Sequence, residues 1–74
     1  MLETLRQRVR GKKVLLLGYG REGKSTLRLL RQAGGYAAVA IADRSSLVGE
    51  GLEGIHLHLG EEYQSCLGDY DLIF

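Results

Sequence analysis

One cysteine, Cys66, stands in a sequence of 74 residues, so no internal disulfide can form and the chain suits a reducing compartment. An excess of charge of one sign is missing as well. Ten Lys and Arg against nine Asp and Glu leave a formal net charge of +1, without the electrostatic footprint that grips nucleic acid or an anionic membrane. The apolar runs are far too short to span a bilayer, and Met1-Leu2-Glu3-Thr4 begins no secretory signal, because no apolar stretch follows the basic residues. Repeats, low-complexity tracts and linkers are absent from the sequence. These exclusions leave the expectation of a cytoplasmic protein with a small-molecule partner, no nucleic acid and no membrane.

What is present is ordinary globular content, 45% hydrophobic and 26% charged, enough for one small domain over residues 1–74. Its core is thin, since a domain of this size buries only about 60% of its unfolded surface. The chain is organised around residues 14–25, where Val14-Leu15-Leu16-Leu17 breaks into Gly18-Tyr19-Gly20 and then into a helical pattern. A short apolar run of this kind suits a parallel strand buried on both faces. The glycines that follow allow a tight turn and a close approach of ligand to main chain, and the next helix brings free N–H groups to the same place.

That stretch satisfies two phosphate-binding patterns at once. Gly18, Gly20 and Gly23 fit the dinucleotide turn G-x-G-x-x-G, while Gly18 with Gly23-Lys24-Ser25 fits the P-loop G-x-x-x-x-G-K-[ST]. In a P-loop, Lys24 would reach terminal phosphates and Ser25 would hold magnesium. In the dinucleotide-type turn, Lys24 is a solvent-facing helical residue and the site grips a diphosphate. Asp43 favours the second pattern, because it lies twenty residues beyond Gly23 at the end of the next apolar run, where an acidic residue meets a ribose or base. A structural role for Asp43 is also open, as a cap on a turn with Ser45 and Ser46.

The remaining chain predicts an alternating α/β order. Leu2, Leu5 and Val9 mark an amphipathic helix over 2–10 ended by Gly11, residues 13–17 a strand, and 21–33 a helix stopped by Gly34-Gly35. On that second helix Leu27, Leu30 and Ala33 share one side, with Lys24, Arg28 and Arg31 opposite. A second parallel strand follows over 36–43, then a loop over 44–54 with room for one helical turn, and a third strand over 55–59. Glu61 to Leu67 predicts a short helix stopped by Gly68, and Asp71-Leu72-Ile73-Phe74 opens a fourth strand. The expected fold is α/β, a Rossmann-like three-layer domain with a parallel sheet, truncated in or after the fourth strand.

Other reactive side chains carry less. His56 and His58 share a strand face, which a metal could use, but no third ligand stands near them in sequence and a half-exposed polar face is the simpler reading. Cys66 has neither a base nor a second thiol beside it and reads as a packing residue. Tyr63 and Tyr70 read as cover for the edge of the core. No residue is assigned a catalytic or metal-binding role. Glu22 is awkward for a phosphate site, since its carboxylate must point away from a diphosphate or be offset by Arg21 or Lys24.

The landmarks taken together resemble the amino-terminal domain of the Mur ligase family. They are Gly11 to Ser25, Ile41-Ala42-Asp43-Arg44, His58-Leu59-Gly60-Glu61 and Tyr70 to Phe74. The resemblance implies a Rossmann-like domain that holds the UDP part of a cell-wall precursor. It implies Gly18, Gly20, Arg21, Glu22 and Gly23 along the diphosphate and uridine, with Asp43, Arg44 and Ser45 near the uracil. An acidic group, a guanidinium and a hydroxyl match the donor and acceptors of that base. The activity implied for the parent is ATP-dependent addition of D-glutamate to UDP-N-acetylmuramoyl-L-alanine in peptidoglycan synthesis, with ATP and magnesium held by further domains of the same chain. Two departures stand out. Glu22 occupies a position where members often carry Ser or Thr, and the Ser-Pro-Gly turn that follows the fourth strand in members is not in this sequence. An NAD(H)-binding regulatory or redox module is the alternative, and a stand-alone P-loop hydrolase the third.

Overall fold

The computed structural model describes residues 2–45, 51–52 and 54–74. Its order is α1 (Leu2–Val9), β1 (Lys13–Leu17), α2 (Arg21–Ala33), β2 (Ala38–Asp43), β3 (His56–Leu59), a 3-10 helix (Tyr63–Asp69) and β4 (Leu72–Ile73). The strands form one sheet in the order β3-β2-β1-β4, and every pairing is parallel. This is a small Rossmann-like α/β domain. The strand order reverses between β1 and β4, because β2 and β3 step to one side of β1 and the chain then crosses to the other. In open α/β sheets such a reversal opens a crevice at the carboxyl ends of the strands.

Two apolar clusters, one on each face of the sheet, make the three layers. Val14, Leu16, Val39 and Ile41 meet Val9 of α1 and Leu27 and Leu30 of α2, with Leu52 completing that side. On the other face Leu15, Ala40 and Ala42 meet Cys66, with Tyr63, Leu67 and Tyr70 packed around them. The alternation of strand side chains sends Leu15 one way and Val14 and Leu16 the other, so three consecutive apolar residues are all buried. The helical face expected on α2 is the one that packs, since Leu27, Leu30 and Ala33 are its buried residues. That helix ends at Gly34, whose N–H donates to the Leu30 carbonyl at 2.8 Å. Arg31 then reaches back from the last turn to donate to the Gly51 carbonyl, 2.8 Å away.

Several boundaries and surfaces differ from expectation. The segment expected to be a helix over 61–67 is a 3-10 helix over Tyr63–Asp69 that runs through Gly68 rather than stopping there. A 3-10 helix rises more steeply per residue, and its seven residues with the following Tyr70 supply Tyr63, Cys66, Leu67 and Tyr70 to one face of the sheet. That narrow layer does not reach Leu17, which is 41% exposed although it continues the buried run of β1. Leu2 is likewise 39% exposed, and the residues of α1 in the apolar cluster are Leu5 and Val9. The second and third strands start later than expected, at Ala38 and His56. Residues 46–50 and 53, which hold much of the expected 44–54 loop and the Ser46 part of the expected turn, lie outside the described residues. Among the described residues no helix is long and apolar enough to cross a membrane.

Candidate functional site

The carboxyl end of β1 delivers the glycine turn to the crevice. Gly18 adopts φ +96°, a left-handed conformation that disfavours any side chain, and its N–H donates to the Ala42 carbonyl at 2.6 Å. The turn is thereby sewn to the end of β2, level with the Leu17 and Ala42 pair. Gly20 then caps α2 with no side-chain hydrogen bond, and a Cβ built on it meets nothing within 4 Å. Main chain is therefore approachable from outside at that point. The third glycine has the opposite need: a Cβ on Gly23 would stand 2.5 Å from the Gly18 carbonyl oxygen. Its role is close packing of the helix on the strand, as the third glycine of the dinucleotide turn requires.

Where the helix starts separates the two phosphate patterns. A P-loop keeps the residues between its first glycine and its lysine as a loop, so that successive N–H groups wrap the phosphates. Here residues 21–24 are already helical, and the Lys24 N–H is committed to the Gly20 carbonyl at 3.0 Å. Lys24 and Ser25 are both exposed helical residues. The local geometry is that of the dinucleotide-type turn. Its chemical offer is the set of helix N-terminal N–H groups that no helix carbonyl can satisfy, together with the positive end of the helix dipole.

A hollow of about 130 Å³ lies at the strand-order reversal, lined by Gly18, Glu22, Gly23, Thr26 and Phe74 among others. Two larger hollows, about 360 and 380 Å³, lie along α1, the first between Leu5, Arg8 and Phe74 and the second around Glu3, Arg6 and Gly35. Size does not decide between them. Of these three, the smaller one meets the glycine turn after β1 and the N-terminus of α2, groups that bind phosphate. Glu22 lines it, and its backbone carbonyl accepts from Thr26 Oγ1 at 2.9 Å. Glu22 therefore borders the same crevice as the N-terminus of α2.

The residues expected at the site are brought together at one edge of the sheet. Gly18, Gly20, Arg21, Glu22 and Gly23 stand at the end of β1, and Asp43, Arg44 and Ser45 at the end of the neighbouring β2. Asp43 is half-buried and uses both carboxylate oxygens. Oδ2 accepts from the Tyr19 N–H at 2.7 Å and Oδ1 from the Ser45 N–H at 2.8 Å. The second bond is the turn cap that the sequence allowed; the first, across 24 residues, has no signature in the sequence. Arg44 and Ser45 are exposed beside it. No family model, no curated protein and no solved structure matches this chain.

The histidines belong to the other face of the sheet. His58 Nε2 lies 2.7 Å from the Tyr70 hydroxyl, and the two rings meet edge-on with centroids 5.8 Å apart. Burial pushes the Tyr70 hydroxyl above its usual range, with Cys66 and Asp69 adding to the shift, so the O–H stays protonated and can donate to His58. Among the described residues no three of His, Cys, Asp and Glu gather as metal ligands. Cys66 is buried and its Sγ lies 3.4 Å from the Tyr63 carbonyl oxygen, consistent with a packing role.

Proposed function

We propose that this chain binds a nucleoside diphosphate at the carboxyl edge of its sheet, and that the nucleoside is the uridine of a UDP-linked cell-wall precursor. The observation that carries the diphosphate is the glycine turn itself: helix α2 starts at Arg21, its N-terminus has no side-chain cap, and Gly20 leaves the approach open. The choice of uridine rests on the resemblance of residues 11–25, 41–44, 58–61 and 70–74 to the first domain of a Mur ligase. In that reading the chain belongs to a cytoplasmic, ATP-dependent amide-forming ligase that adds D-glutamate to UDP-N-acetylmuramoyl-L-alanine. Its part is positioning: binding energy from the remote nucleotide end holds the reacting carboxylate in place. ATP and magnesium belong to other domains in that reading, so these 74 residues alone should form no amide bond.

The alternative is an NAD(H)-binding module, favoured by the same turn and by Asp43 at the end of β2, where a ribose diol is held in dinucleotide enzymes. A titration with UDP, UDP-N-acetylmuramoyl-L-alanine, NAD and ATP separates the readings. Uridine ligands should shift the amides of Gly18 to Gly23 and of Asp43 to Ser45, with NAD and ATP inert. A response to NAD but not to UDP would transfer the site to the redox reading.

Glu22 supplies a further prediction on this site. Glu22 borders the crevice, and a carboxylate turned towards a bound diphosphate would repel it, with about 1 kcal/mol the scale for two unit charges 4 Å apart in a water-like medium. Glu22→Gln should tighten UDP binding by about fivefold at low salt, with the gain shrinking as salt screens the charge. An unchanged or weakened affinity would mean that Glu22 points away from the phosphates or contributes a contact of its own.

A further inference from the structure

We infer that Asp43 is the positioning residue of the glycine turn, so that at the proposed nucleotide site it sets the geometry of the phosphate subsite. The inference deepens the nucleoside diphosphate reading and rests on it for its consequence in binding, but the tether itself is a property of the free protein. Three observations carry it. The Tyr19 N–H donates to Asp43 Oδ2 at 2.7 Å, directly between the two glycines of the turn. The other oxygen is held at 2.8 Å by the Ser45 N–H, so the carboxylate is clamped from its own strand end while it holds the turn. And Gly18, the residue before Tyr19, is sewn to β2 by its own N–H at the Ala42 carbonyl.

The physical need for such a tether is specific to this turn. Glycines at 18 and 20 flank Tyr19 and leave the backbone free to take many conformations. A diphosphate is bound by N–H groups only if those groups are already aimed, because ordering them at the moment of binding subtracts from affinity. A carboxylate accepting from the middle of the turn orders it in advance. Hydrogen bonds to a charged acceptor are also the stronger kind.

The carboxylate is needed because two oxygens are in use. Asparagine closes an Asx turn on its own as well as aspartate does, but it has one carbonyl oxygen, and its NH2 group would face the second N–H donor. Asp43→Asn thus separates a tether from a simple turn cap. In the full 74-residue chain, amide hydrogen exchange at Tyr19 and Gly20 should be about tenfold faster in Asp43→Asn and in Asp43→Ala alike, with exchange at Leu15 and Ile41 unchanged. Unaltered exchange at Tyr19 in Asp43→Ala, which has no acceptor left, overturns the inference whatever the ligand results. Acceleration at Leu15 and Ile41 to the same degree also overturns it, since Asp43 would then be a general stability residue.

Binding supplies the second readout, with UDP and inorganic pyrophosphate as the probes. A turn-positioning carboxylate predicts that Asp43→Asn weakens both by the same factor, about tenfold. Loss of UDP binding with pyrophosphate binding intact overturns the inference and makes Asp43 a base or ribose contact. If the unaltered protein binds neither probe, the nucleotide reading fails, and the exchange experiment alone decides whether the tether orders the turn.

Discussion

Gly23→Ala lowers the stability of this domain by about 2 kcal/mol, within the range for overpacking a filled site, and lowers its Tm by roughly 10 °C for a chain this small. The sign is the informative part. In an exposed helix interior, replacing glycine by alanine stabilises by about 1 kcal/mol through helix propensity, and Gly23 lies inside α2. Here the new Cβ would stand 2.5 Å from the Gly18 carbonyl oxygen and 3.3 Å from its carbon. Both atoms are backbone and cannot rotate away, so the start of α2 must lift from β1. That displacement also moves the helix N-terminus relative to the glycine turn, and UDP binding should fall with the Tm. Gly68→Ala is the control, because a Cβ there meets nothing within 4 Å, and its melting curve should match the parent's or exceed it. Thermal unfolding of the two variants followed by circular dichroism checks the prediction; a stabilised Gly23→Ala would mean that α2 does not sit as close to β1 as described.

Ile41→Ala has the second large effect, a loss of about 3 kcal/mol from a core that has little to spare. Ile41 is 0% exposed at the centre of the sheet and belongs to the cluster formed with α1 and α2. Truncating a buried isoleucine to alanine typically loses 2–5 kcal/mol, the removed contacts and the remaining cavity both contributing. A 74-residue chain has a total stability of only about 4–11 kcal/mol at the usual per-residue value. Urea unfolding should show the midpoint of Ile41→Ala falling by about a quarter or more. Leu57→Ala, on the neighbouring strand and 43% exposed, should shift it by less than about 0.5 kcal/mol. Equal effects from the two changes would contradict the division between a packed interior and a bare edge strand.

Much of the fold was legible along the chain because it depends on local spacing. The bounds of β1 and α2 follow from an apolar run ended by glycine and from a 3.6-residue apolar stripe ended by two glycines, and both elements fall at the expected residues. The short helix expected over 61–67 lies at Tyr63–Asp69, and the sequence leaves its type open because over seven residues the apolar positions of 3-10 and α-helices nearly coincide. Only the sheet beneath, which Cys66, Leu67 and Tyr70 have to meet, separates the two. Leu17 and Leu2 were misjudged because a side chain is buried by its neighbours in space, and no short segment reports where a covering layer ends.

By itself the sequence determined the α/β order, the glycine turn after the first strand and the assembly of its candidate residues at two consecutive strand ends. These rest on interactions within about twenty residues, which periodicity and turn chemistry encode directly. Tertiary structure decided which of two overlapping phosphate patterns is built, through the start of α2 at Arg21 and the fit of Gly23 against Gly18. It also decided what Asp43 and His58 hold, because the Tyr19 amide and the Tyr70 hydroxyl come to them only when the parallel strands align. Hydrogen bonds depend on distance and direction in space, and a linear pattern carries neither.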